Sequence, residues 1–318
     1  MAIALTPFEG MNGFRPLTEL SQHCTLFPEL AAILGEAVVQ QLRAAAEAVA
    51  VQSSADEQQQ QQQAQAQTRA ALQGVMHAIM FAEEATVAEQ LSLLVARLPG
   101  LAAAAAAGPI VSDYNPFVLD VMQRLHADFP GDSGLVFPLV LNTIAMQPGQ
   151  AMYLAANEPH AYISGDIVEC MALSDNVVRA GLTPKFRDRE TLEKMLTYKC
   201  APVAYCHAQA LDACTQLYRP PTEGFPEFEV ECVSVPAGTS HSVAVHDCAS
   251  ILIVTEYQGG VGEGATFTHL DAGAGAEKAE PCPQAGACFL QRAGHALRID
   301  TAAGAGLTLY RAHINLGN

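Results

Sequence analysis

The chain has 318 residues, 50% of them hydrophobic and 15% charged, which is long enough for two packed domains with a helical insertion and too apolar for a disordered tail. Its 33 acidic against 16 basic residues give a net charge of −17, which disfavours nucleic acid; a small phosphorylated metabolite stays compatible, because pocket arginines and lysines outweigh a global field screened beyond about 10 Å. Nine cysteines with no Cys-x-x-Cys pair, a start (MAIALTP) without basic residues, and an Ala-rich run at 101–107 far short of about 20 residues predict a reduced, cytoplasmic protein with no export signal and no membrane span.

In chain order, residues 26–98 carry a helical pattern. Leu30, Ile33, Leu34, Ala37, Val38 and Leu42 recur at spacings of three and four, as do Ile79, Ala82, Val87, Leu91 and Leu94. Between them, 58–67 is a Gln-rich tract with nothing to bury, read as an exposed helix extension or loop. Asn115-Pro116 signals the start of a further helix running to about 127. After Pro130-Gly131-Asp132 the texture turns to short β-type runs at 135–141, 152–155, 162–163 and 167–173, separated by Pro148-Gly149 and Gly165-Asp166. A helix capped by Asp188 continues through Leu192 and Met195 to Tyr198, and β texture resumes from Phe228 through Val230, Val233 and Val235 to 251–254 and 307–312.

The chemistry concentrates in 157–185. On a strand, His160 and Tyr162 share a face and can line one pocket. Glu169 falls in a row with Ile167, Met171 and Leu173, a placement costly for a carboxylate unless a cation or metal compensates. Arg179 and Lys185 flank a Gly-Leu-Thr-Pro turn and suit a phosphate or an anionic intermediate. Each has a plainer reading: His160 as a core histidine bonded to backbone, Arg179 and Lys185 as surface ion pairs.

The run from Pro159 to Lys185, PHAYISGDIVECMALSDNVVRAGLTPK, resembles the signature of type I mannose-6-phosphate isomerases nearly position for position. The similarity extends to MAIALTPFE, to Gly13-Phe14-Arg15-Pro16, and to segments around Pro130 and Pro148; the helical block aligns only in kind. The resemblance implies a mainly β fold with a helical insertion: two cupin-type β-sandwich or jelly-roll units, the first incomplete, plus an α-helical domain. The expected division is 1–15 as a remnant of the N-terminal cupin, 16–128 helical, 129–200 the catalytic cupin half and 201–318 a C-terminal cupin-like unit. It implies interconversion of mannose 6-phosphate and fructose 6-phosphate, which supplies GDP-mannose synthesis, by a zinc-dependent, monomeric, cytoplasmic enzyme whose partner is a phosphorylated hexose.

By the same resemblance His160 is a zinc ligand, Arg179 the catalytic arginine, Glu169 a candidate acid or base, and Lys185 and Tyr162 substrate-facing. The family's other zinc ligands, a glutamine, a histidine and a glutamate, precede the segment matching Met1. The chain is therefore expected to lack three of four ligands, to bind zinc poorly and to have little activity as written. No other histidine looks like a substitute, since His241 and His246 lie five apart and fall on opposite faces of a strand. The competing reading is a catalytically dead cupin that holds a sugar phosphate or a partner protein.

Overall fold

A computed structural model describes residues 1–50, 57–107, 114–174, 177–222, 225–258, 264–270, 277–281 and 284–314; Asp175 and Asn176 of the signature and Cys282 lie outside them. The helical part comprises α1 (Leu17–Leu26), α2 (Pro28–Leu34), α3 (Glu36–Ala50), α4 (Glu57–Phe81), α5 (Glu84–Ala107) and α6 (Pro116–Asp128). Leu72, Val75, Met76 and Ile79 of α4 fall on one face and are buried with Leu30, Leu42, Leu94 and Leu119. Each such side chain contributes roughly 1.5–3 kcal/mol of burial. Gln61, Gln62 and Gln63 are exposed on α4, so the tract extends a helix. Asn115 caps α6 as expected, its Oδ1 accepting from Phe117 N at 3.0 Å.

The Ala-rich run is the end of a longer helix than its own length implied. Glu84–Ala105 of α5 is 22 residues with a mean hydropathy of 1.2, long and apolar enough to cross a membrane by length and composition alone. Its apolar face has another use: Leu91, Leu94 and Leu98 are buried in the helical core.

Two sheets form the first β unit. One has the order β6 (Ile167–Glu169), β1 (Ala2–Ala4), β4 (Ala151–Met152), β7 (Tyr205–Cys206); the other has β3 (Leu141–Met146), β2 (Phe8–Phe14), β5 (His160–Ser164). The run at 135–141 is not a strand before Leu141: Ser133–Val136 is a 3-10 turn and Phe137–Val140 is α7. Asp132 explains this, because its carboxylate accepts from Gly134 N at 2.7 Å and caps the turn, while Pro138 sits in the first helical turn. α8 (Arg189–Met195) is capped by Asp188 as expected, but it stops at Met195 because Leu196 is extended.

The second β unit is larger. A six-stranded sheet runs β15 (Cys288–Gln291), β12 (Ser250–Tyr257), β17 (Leu307–His313), β10 (Glu229–Val235), β9 (Thr215–Tyr218), β8 (Gln209–Ala210). It faces a sheet of β11 (Ser240–Val243), β16 (Ala296–Thr301), β13 (Ala265–Leu270) and β14 (Glu277–Pro281).

Strand alternation stacks these layers. Ala2 and Ala4 turn to Phe8, Ile144 and Met146 inside the first unit, whereas Met1 and Ile3 turn the other way, to Tyr218, Val230 and Tyr310 of the six-stranded sheet. The opposite face of that sheet packs Val233, Val235, Leu252 and Leu309 on Phe267, Leu297 and Ile299. The eight described cysteines are free thiols.

Candidate functional site

β5 and β6 position the first three candidates. β5 pairs with β2 so that Asn12 faces His160 and Gly10 faces Tyr162, and β6 pairs with β1 so that Ala2 faces Glu169. The turn joining β5 to β6 needs Gly165: its φ is +94°, and a Cβ there would come within 2.8 Å of Phe8 Cα. The hairpin folds these residues onto the wall of a cavity of about 1040 Å³, which Arg179 reaches from the loop after β6. Leu192 and Met195 of α8, Met76 of α4 and Leu125 of α6 close the apolar side.

His160, Tyr162, Glu169 and Arg179 thus line one cavity. The His160 and Tyr162 rings share a face, with centroids 5.9 Å apart. His160 Nδ1 lies 2.9 Å from the Glu158 carbonyl oxygen, so a proton on Nδ1 leaves Nε2 as the free lone pair. Tyr162 donates a short hydrogen bond from its hydroxyl to Glu169 Oε1. Burial, then that carboxylate, raise the Tyr162 pKa, so the phenol stays protonated as the donor. Arg179 is half-buried, and no described residue forms an ion pair with it.

Two expectations change. Glu169 does not sit in a buried apolar row, because β6 ends at Glu169; Met171 and Leu173 beyond it are 58% and 100% exposed, and Glu169 is itself exposed. Lys185 is exposed and is not among the lining residues, which in this segment end at Thr183.

A zinc site needs at least three protein ligands. Among the described residues no group of three close ligand atoms includes His160, so these residues do not by themselves make a zinc site there. Such a group exists elsewhere, on Glu231, His246 and His313, where sequence reasoning found none. His241 and His246 do stay apart, as expected: His241 lies with Asp212 and Cys214, whereas His246, on the loop after β11 ends at Val243, meets Glu231 and His313, which are distant from it in sequence. A usable signal was present: Glu231 shares its strand face with Val233 and Val235, the same anomaly that drew attention to Glu169.

Fold and cavity define a cupin-type protein: two β-sandwich units with a helical insertion, and a polar wall of His, Tyr, Glu and Arg in the first. Residues 33–141 match the model for "Phosphomannose isomerase type I, helical insertion domain". The chain is 38% identical over 261 residues to mannose-6-phosphate isomerase of Bos taurus, covering 80% of this chain and 56% of that protein. It is 36% identical over 271 residues to that of Cryptococcus neoformans, covering 83% and 60%. Two solved structures from Salmonella typhimurium share the fold at 22% identity: a point mutant of phosphomannose isomerase, with a TM-score of 0.67 and coverage of 99% of this chain and 65% of that one, and mannose 6-phosphate isomerase bound to substrate (f6p) and zinc, with a TM-score of 0.60 and coverage of 99% and 66%. The chain is similar over most of its length to type I phosphomannose isomerases, and it spans about 56% of the length of the first of these curated relatives.

Proposed function

We propose that the cavity binds a phosphorylated hexose and is the site at which mannose 6-phosphate and fructose 6-phosphate interconvert. The observation that supports this reading most is the convergence of His160, Tyr162, Glu169 and Arg179 on one cavity, in a chain 38% identical to mannose-6-phosphate isomerases. On the open-chain sugar the C2 proton moves to C1 while a hydroxyl proton moves from O2 to O1, through an enediol. Glu169 carries the carbon-bound proton, with Tyr162 fixing the carboxylate through its hydrogen bond. Arg179 stabilises the negative charge that develops on the substrate oxygens.

A structural neighbour carries zinc, and His160 has a free lone pair suited to it. With no group of three close ligand atoms that includes His160 among the described residues, the chain as given holds zinc there weakly and turns over slowly. The domain division expected from the sequence, with 129–200 as the catalytic half, belongs to this same reading.

Calorimetry with mannose 6-phosphate tests the binding claim. Losing a charge-assisted hydrogen bond costs about 1.5–3 kcal/mol, so Arg179→Ala weakens binding by roughly 10- to 100-fold. Equal affinity in the variant removes Arg179 from the site. Rapid turnover by the zinc-supplemented chain overturns the weak-zinc claim while leaving the sugar assignment intact.

A further inference from the structure

The second β unit contains a polar cluster that the isomerase reading leaves unused. Its six-stranded sheet turns Val233, Val235, Leu307 and Leu309 inward, yet towards one end the same inward face carries Glu231, Arg311 and His313. Strand pairing sets Glu231 opposite Arg311 and Glu229 opposite His313, so these side chains share a face with the apolar core. The loop after β11 adds His246. Side-chain exposure is 1% for Glu231, Arg311 and His313 and 13% for His246.

Such a concentration of buried polar groups is costly unless each is satisfied, and several are not. His313 Nε2, Ser250 Oγ and Gln291 Oε1 are buried without a hydrogen-bond partner. They lie on adjacent strands at one end of the sheet: Ser250 faces Gln291 across β12 and β15, and the neighbouring Ile251 faces Ala312, next to His313.

We propose that Glu231, His246 and His313 bind a divalent first-row transition-metal ion through Glu231 Oε1 and the two Nε2 atoms. This site does not depend on the cavity or on the isomerase reading. Two spacings already have the right size. His246 Nε2 lies 3.0 Å and His313 Nε2 3.5 Å from Glu231 Oε1, close to the edge of about 3.4 Å in a tetrahedron with metal bonds of about 2.0–2.1 Å. All three ligand atoms fall within 4.8 Å of one another.

The tautomer is also prepared. His313 Nδ1 lies 2.7 Å from the Ile314 carbonyl oxygen, so a proton held there turns the Nε2 lone pair into the cluster, the outer-sphere arrangement usual for metal-binding histidines. Binding replaces the proton now shared by His246 Nε2 and Glu231 Oε1 with the cation.

Arg311 sets which metals fit. Its Nη1 donates to Glu231 Oε2 at 3.0 Å and to the Ala244 carbonyl at 2.8 Å, so Oε2 is occupied, the carboxylate is oriented, and its charge is already balanced. A hard ion such as Ca²⁺ or Mg²⁺, which needs several anionic oxygens, gains little here. Zn²⁺, Co²⁺, Ni²⁺ or Cu²⁺ gains from the two imidazoles. Gln291 Oε1 and Ser250 Oγ are available to hold a water that completes the coordination shell.

The metal-stripped full chain is titrated with Co²⁺, following the d–d absorption, and with Zn²⁺ by calorimetry. One equivalent binds to the parent chain and to His160→Ala, whereas His246→Ala weakens binding by at least about tenfold while its circular dichroism and metal-free unfolding midpoint match the parent. Equal binding in His246→Ala, loss in His160→Ala instead, or no bound equivalent in the parent overturns the site. If His246→Ala fails to fold, zinc-edge X-ray absorption on the parent decides. Two imidazoles and a carboxylate oxygen at about 2.0–2.2 Å support the assignment, and a thiolate or all-oxygen shell refutes it.

Discussion

The two β units handle polar groups in opposite ways. In the first, His160 and Glu169 sit exposed on an open cavity, and Arg179 has no ion-pair partner among the described residues. In the second, Glu231, Arg311 and His313 are sealed inside the sandwich, and Glu231 draws on Arg311 and His246. A site that admits and releases a metabolite needs solvent access and groups left free for it. A sealed cluster suits an ion that stays, or the specification of one packing. The same feature in sequence, a carboxylate in an alternating apolar strand, therefore has two outcomes: β6 ends at Glu169 and releases it to the cavity, whereas β10 continues past Glu231 and buries it.

Removing the carboxylate from each unit tests that contrast most severely. In metal-free buffer Glu231→Ala leaves the buried Arg311 guanidinium uncompensated and destabilises the chain by about 3–5 kcal/mol, read by urea unfolding. Glu169→Ala changes stability by no more than about 0.5 kcal/mol, as expected of an exposed side chain. Equal losses would erase the distinction between the units.

A smaller effect tests how rigidly the cavity wall is held. Gly165→Ala places a side chain at positive φ and against Phe8, costing about 1–3 kcal/mol and displacing the hairpin that carries His160 and Glu169. Unfolding midpoints and mannose 6-phosphate affinity fall together in that variant. Unchanged values would show that the hairpin does not depend on the glycine.

The smallest effect is a shift with alkaline pH. Burial pushes Tyr198 and Tyr218 up to about 12 from an ordinary 10 and raises Tyr310 and Tyr162 further, with Glu169 adding to the rise at Tyr162. Unfolded phenols ionise first, so between pH 10 and about 12 the unfolded state holds fewer protons and stability falls as pH rises. In a phenolate absorbance titration these four tyrosines stay silent at pH 11 while the chain is folded, and Tyr162→Phe shortens the late phase by one. Ionisation of all eight tyrosines together near pH 10, without unfolding, contradicts their burial.

Much of this molecule is readable along the chain because it depends on neighbours a few residues apart. The three-and-four spacing that buries Leu30, Ile33, Leu34 and Leu42 and then Ile79, Val87, Leu91 and Leu94, the caps Asn115 and Asp188, and the shared face of His160 and Tyr162 are all local, and each is found as expected. The strand expected over 135–141 failed for an equally local reason, the Asp132 cap on a turn followed by Pro138. Lys185 is a different case: side-chain type placed it at a phosphate, whereas the course of the loop after Thr183 leaves it outside the cavity lining.

What the sequence determined by itself is the type of most elements, the shared face of His160 and Tyr162 and, through the 159–185 signature, the similarity to type I phosphomannose isomerases. Only the tertiary structure decided which faces meet. Glu231 and His313 lie 82 positions apart and are joined because β10 pairs with β17 in one register, and no pattern within a few residues encodes that register. Local preferences act through backbone geometry over a turn or a pleat; long-range pairing is set by burying whole faces at once, so the chemistry it assembles becomes visible only when the layers are in place.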